Sequence, residues 1–289
     1  MRNTFKLGLV EEERIGANPF QIGVIGSTDT HNGTPGHTEE HLFPGHVGLT
    51  DHTAEMRMGP GTMTYNPKSY NPGGLTAAWA LENSRDALFQ AFRRREVYST
   101  SGTRISVRFF GGWDYPETIC DRDDLISTGY ADGVPMGRQL RRKPEGNPTP
   151  IFVVKAEKDP GVDGRSGTDL QRVQIIKGWL DASGQTWEEV FDIGGDAEND
   201  AGVDLATCER TGEGFETICA TWIDPDFDPD VRAFYYARVV ENPSCRWTQY
   251  DCHTFAADDP DKPQACFDEA VAKTVQERAV SSPIWYAVK

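Results

Sequence analysis

The spacing of apolar residues changes period partway along the chain. Residues 7–14 read as the end of a helix, stopped by Gly16 and then Asn18 and Pro19. An apolar run over residues 20–28 predicts a strand. Ala87, Leu88, Ala91 and Phe92 share one face of a helix predicted over 83–95, with Asn83 or Ser84 as its N-cap. Arginines in its last turn suit the helix dipole. Residues 97–102 return as a strand, so the first part of the chain reads as α/β. From Thr103 the period falls to two. Residues 104–109, 172–177 and 186–191 alternate, and 151–156 are more continuously apolar. Strands at 216–222, 232–241 and 282–286 complete the set, and residues 266–276 are the one helical candidate among them. Short strands separated by Gly, Asp and Pro loops predict an all-β part, an antiparallel β-sandwich over residues 103–289, after an α/β unit over residues 1–102.

Composition narrows the function classes. The net charge is −16, and the basic clusters are short, at residues 93–95 and 141–143. Binding a phosphate backbone needs clustered cations, so nucleic acid is not an expected partner. No segment approaches the ~20 apolar residues of a membrane span, and Met1 is not followed by a secretory signal. The six cysteines contain no C-x-x-C pair, which argues against a structural zinc site. An even number in an acidic, loop-rich chain fits disulfides and a periplasmic or secreted protein; scattered reduced thiols in a cytoplasmic protein are the alternative. Export without a signal would mean that Met1 is not the natural start.

The candidate chemistry stands at the end of the 20–28 run. Asp29 and His31 are two residues apart, so on an extended strand both side chains leave the same face. A carboxylate oxygen beside an imidazole nitrogen suits a divalent ion such as Zn, Mn or Fe. A turn-capping Asp beside a surface His has the same spacing. His31, His37, His41, His46 and His52 all fall in a Gly- and Pro-rich stretch that reads as a long loop reaching to about Pro72. Only Asp29 and His31 carry a geometric argument; the other histidines are candidates by proximity. Residues 224–230 place carboxylates at alternate positions, as calcium loops do. Pro229 and Tyr235 stand where an EF-hand needs Gly and Glu, and a polar turn accounts for the run equally well. Residues 99–102 lack a G-x-S-x-G elbow, which removes a serine nucleophile.

Several runs together carry a family resemblance. Ile25-Gly26-Ser27-Thr28-Asp29-Thr30-His31-Asn32 is followed, in order, by residues 73–75, 80–85, 95–102, 107–113, 133–137, 174–179, 224–228, 233–239 and 276–286. Through them the chain resembles the DUF3604 family, related to PHP-type metallohydrolases including the carbaryl-hydrolase-like branch. The resemblance implies a distorted (β/α) barrel holding divalent metals, followed by a β-sandwich. Residues 1–102 would then be the C-terminal part of a PHP-type barrel. PHP enzymes carry D-x-H on a late barrel strand, which Asp29 and His31 match. They also open with H-x-H on the first strand, and no such motif precedes Asp29. The chain thus resembles the C-terminal portion of a longer hydrolase, with a missing N-terminal barrel half as its partner and little activity alone.

By the same resemblance, Asp29 and His31 ligate metal, and a metal-activated water cleaves a small-molecule ester or phosphoester substrate. His46, reaching in from the loop, and Glu82 and Arg85 at the barrel mouth would contact that substrate, Arg85 by pairing with an anionic group. A solvated arginine and a capping carboxylate are the plainer account of the last two. The reading from another class is a non-catalytic binding or assembly module, or an inactive truncated remnant.

Overall fold

Strands form where the two-residue alternation predicts them. The computed structural model describes residues 1–61, 66–141, 143–146 and 148–288. Arg142 of the basic cluster and residues 62–65 of the histidine stretch lie outside the described residues. The principal strands are β1 (Leu75–Ala78), β2 (Val97–Thr100), β3 (Ser106–Gly112), β4 (Gly133–Pro135), β5 (Ile151–Glu157) and β6 (Leu170–Leu180). They continue with β7 (Thr186–Gly195), β8 (Thr217–Ile223), β9 (Arg232–Glu241), β10 (Arg278–Ser281) and β11 (Ile284–Tyr286). The helices are α1 (Arg2–Ile15), α2 (Ala54–Met58), α3 (Arg85–Arg94), α4 (Leu125–Asp132) and α5 (Trp247–His253). A seven-stranded sheet runs β1-β2-β10-β9-β6-β7, with β11 also alongside β9, and a four-stranded sheet runs β8-β5-β3-β4. All pairings in both sheets are antiparallel.

The two sheets bury one core between them. Val173, Ile175, Tyr235, Ala237 and Val239 pack with Val107, Phe109, Phe152 and Val154 of the opposite sheet. Their sequence neighbours Ile176, Phe234 and Tyr236 point the other way and meet Phe5 and Leu9 of α1. Phe5 stands edge-on to Phe234 and Trp285, at 5.3 and 5.6 Å between ring centroids. On the far side Phe110 and Val153 meet Leu125 of α4. Because β6 and β9 are covered on both faces, they are buried almost throughout, whereas β7 at the edge is mostly solvated. Local signals hold at the helices too. Gly16 closes α1 at φ 75°, and the Ser84 hydroxyl accepts the Ala87 N–H at the start of α3.

Three expectations give way. Residues 20–28 form no strand, because their backbone bonds to side chains in place of a ladder. Val24 N donates to Ser282 Oγ (2.9 Å), Gly26 N donates to Thr76 Oγ1 (3.1 Å), and that hydroxyl donates to Gly26 O (2.6 Å). No closed barrel forms among the described residues. β1 and β2, expected in a PHP-type barrel, are antiparallel to each other, and β2 pairs with β10 to extend the large sheet. Barrel strands joined by a helix run parallel. Residues 266–276 form no α-helix: a 3-10 turn (Gln264–Cys266) leads to a short pairing of Thr274 and Val275 with Ser244 and Cys245.

All six cysteines pair, as Cys120 with Cys219, Cys208 with Cys245, and Cys252 with Cys266. This pairing suits an oxidising environment, extracellular or periplasmic. No helix among the described residues is long and apolar enough to cross a membrane.

Buried charge explains the acidic run after β8. Lys177, on the inner face of β6, reaches Asp224 Oδ2 at 2.7 Å and donates to Asp226 O at 2.9 Å. Tyr235 donates to the same carboxylate at 2.7 Å. Asp224 is therefore fully engaged inside the protein, and the polar-turn reading holds for it. Lys177→Met would leave Asp224 buried without its cation and should cost about 3–5 kcal/mol in urea unfolding. Adding Asp224→Leu should recover a large part of that loss.

Glu241, at the end of β9, is fully buried. Burial, with Glu277 nearby, pushes its carboxyl up to about 8. The folded state thus holds a proton that the unfolded chain releases in the ordinary carboxylate range, so stability falls as pH rises from about 4.5 to about 8. Glu241→Gln, neutral throughout, should match the parent near pH 4 and exceed it at pH 8.5, read as the difference between urea midpoints.

Candidate functional site

The chain leaves residues 20–28 through Asp29, whose φ of 50° is left-handed. Aspartate tolerates this conformation better than most residues. The turn, rather than strand alternation, sets Asp29 Oδ1 3.8 Å from His31 Nε2. Two bonds then draw the far limb of the histidine loop inward. Asn32 Nδ2 donates to Gly45 O (2.5 Å), and His31 N donates to His46 O (2.8 Å). The His31 and His46 rings stand 5.0 Å apart. One ligating atom each from Asp29, His31 and His46 lies within 4.8 Å of the other two.

His46 is the buried member, at 8% exposure, and its ring stacks on Tyr70 at 4.5 Å and 10°. Its backbone is clamped from below by Asp51. His46 N donates to Asp51 Oδ2 (2.6 Å) and Val47 N to Asp51 Oδ1 (2.9 Å). Gly45, at φ 91°, permits this approach, because a Cβ there would overlap Asp51. Gly73, at φ 90°, does the same beside Thr28.

A second tier ties this loop to α5. Arg57 donates to Asp51 O (3.1 Å) and, through two bonds of 2.7 Å, to the Asp251 carboxylate. Tyr70 O accepts from Trp247 Nε1 (2.9 Å) and Arg246 Nη2 (2.6 Å). Beneath them Phe43, Met58 and Trp247 form a small core closed by the disulfide of Cys252 and Cys266.

Two imidazoles and one carboxylate make a mixed nitrogen and oxygen set that suits Zn, Mn or Fe. The Asp29 and His31 side chains are 86% and 63% exposed, so solvent and ligand reach the group freely. His46 thus joins the two ligand candidates it was expected only to approach. Glu82 and Arg85 do not: both are exposed at the start of α3, outside the three-residue group. His52 bonds Gly48 O at 2.8 Å, and His41, whose pKa burial lowers, lies 4.0 Å from Glu39. Tyr70, Asp51, Arg57 and Asp251 support the site and carry no motif in the sequence.

A family model described as "Protein of unknown function (DUF3604)" matches residues 1–288. No curated protein and no solved structure matches the chain.

Asp51→Ala would strand the His46 and Val47 N–H groups in a buried setting. The expected cost is about 2–3 kcal/mol, with faster hydrogen exchange at those two amides as the local sign. Unchanged protection there would separate Asp51 from the placement of His46.

Proposed function

The chain belongs to the DUF3604 family, and on that premise we propose that Asp29, His31 and His46 hold a divalent ion for hydrolysis of a phosphoester or related ester. One observation carries the proposal: three ligating atoms of suitable chemistry lie within 4.8 Å of one another. The backbone spends a left-handed aspartate and a buried carboxylate clamp on that convergence. An ion bound there supplies a water of lowered pKa and polarises the bond under attack. The protein's part is to position. Tyr70 fixes the plane of the His46 ring, and Asp51 fixes its backbone. Asp29 and His31 face solvent, which gives a substrate oxygen access from the open side. That openness also fits a centre completed by donors beyond these three.

The same exposure favours a second reading, a module that binds metal without catalysis. Metal analysis and turnover divide the two. Protein equilibrated separately with Zn, Mn and Fe(II) should retain about one ion per chain, and His46→Ala or Asp29→Ala should weaken retention at least about tenfold. Metal-dependent release of nitrophenol from a nitrophenyl phosphomonoester or diester supports the hydrolase. Retained metal with no turnover selects the binding module, and no retained metal ends both readings of this site.

A further inference from the structure

A cavity of about 100 Å³ opens beside the start of β3, lined from other elements by residues 161 and 162, residues 165–168 and the chain after β9. Its lining includes five carboxylates and none of Asp29, His31 or His46. Glu39 pairs with Arg104, and Asp159 accepts from the Arg104 and Gly161 N–H groups, which leaves Glu40, Glu241 and Glu277. Glu277 is almost fully buried and accepts a bond from the Ser101 hydroxyl. Glu40 turns its carboxylate to the Trp247 N–H, at 2.5 Å. Glu241 differs from both. It is 0% exposed, and neither of its oxygens receives a hydrogen bond of good geometry; the Thr103 hydroxyl, also in the lining, stands against it without completing one.

The neighbouring cations are engaged elsewhere. Arg210 donates to Thr168 Oγ1 (2.9 Å) and Ser166 O (2.8 Å), Arg165 to the Tyr250 hydroxyl (2.7 Å), and Arg104 to Glu39 (3.2 Å). Arg246 gives its N–H groups to Lys68 O and Tyr70 O. Burial pushes both Glu40 and Glu241 up to about 8, with Glu277 adding to the effect. A buried polar group without a partner is costly, and native proteins keep few of them.

We propose that this cavity binds the ammonium group of a small primary amine, with Glu241 as its principal acceptor and Glu277 and Glu40 flanking it. Glu241 gives up its proton to solvent as the amine binds; the ionised carboxylate then only accepts, and an alkylammonium brings N–H donors with its charge. A bare metal ion fits less well. Among the described residues, Glu40, Glu241 and Glu277 do not converge within 4.8 Å as a ligand group, so the ammonium bonds Glu241 while the other two contribute charge rather than direct bonds. The cavity exceeds what one water needs, which leaves room for an alkyl stem. Val162, the Tyr250 ring and the disulfide of Cys208 with Cys245 line it as less polar wall.

The test is calorimetric titration and thermal unfolding of the whole chain at pH 7.5 with n-butylammonium chloride. n-Butanol serves as the uncharged analogue and calcium chloride as the metal control. Saturable heat is expected with the amine, together with a midpoint that climbs with its concentration. Affinity should fall at least about tenfold in Glu241→Gln. Should that variant be poorly folded, wild-type crystals soaked in the amine decide: its nitrogen should lie within hydrogen-bond distance of Glu241. Equal effects of butanol, unchanged affinity in Glu241→Gln, a response to calcium alone, or an amine seated elsewhere would each overturn the assignment.

Discussion

The ladder between β6 and β9 is the constraint from which most of the molecule follows. It pairs Arg232 through Val240 against Leu180 through Arg172, and both of its faces are covered. One face demands an opposing sheet and the other demands a helix, which is why α1 lies where it does. Polar residues caught in this region must be answered internally. Lys177 and Tyr235 both answer Asp224. The ladder slips its register between Val240 and Glu241, and there a carboxylate enters the interior without an answer. Regular pairing and the unfilled acceptor are thus two ends of one strand.

The candidate metal group rests on a different kind of order. It sits on irregular chain, where no ladder can satisfy backbone donors, so side chains do so instead. Asn32 and Asp51 bridge segments that lack regular structure, and Arg57 reaches from α2 to the Asp51 carbonyl. Aromatic stacking on Tyr70 and the small core around Trp247 supply the apolar part. The result is a firm His46 beside two solvent-facing partners. Such asymmetry suits a site that admits a ligand from one direction while keeping one donor fixed.

Much of the fold was legible in the sequence because its signals are local. Alternation located the long strands within a few residues, and the stripe of Ala87, Leu88, Ala91 and Phe92 with Ser84 located α3. α5 has only seven residues, too few for a helical period to show. The run 20–28 looked like a strand from composition, but its partners are the hydroxyls of Thr76 and Ser282, which no local pattern reveals. Asp29 and His31 were chosen for same-side projection from an extended chain, and they meet through a left-handed turn instead. Their supports were invisible for a plain reason: Arg57 and Asp251 are 194 positions apart. The family assignment spans the chain and, by its description, carries no activity, so chemistry has to be argued from side chains.

The contact of Phe5 with Trp285 joins the opening helix to the closing strand. During synthesis α1 leaves the ribosome long before β11, which completes its seat, so Phe5 and Leu9 stay unsheltered until β11 follows. Apolar surface exposed for that long is the part of the nascent chain most open to aggregation.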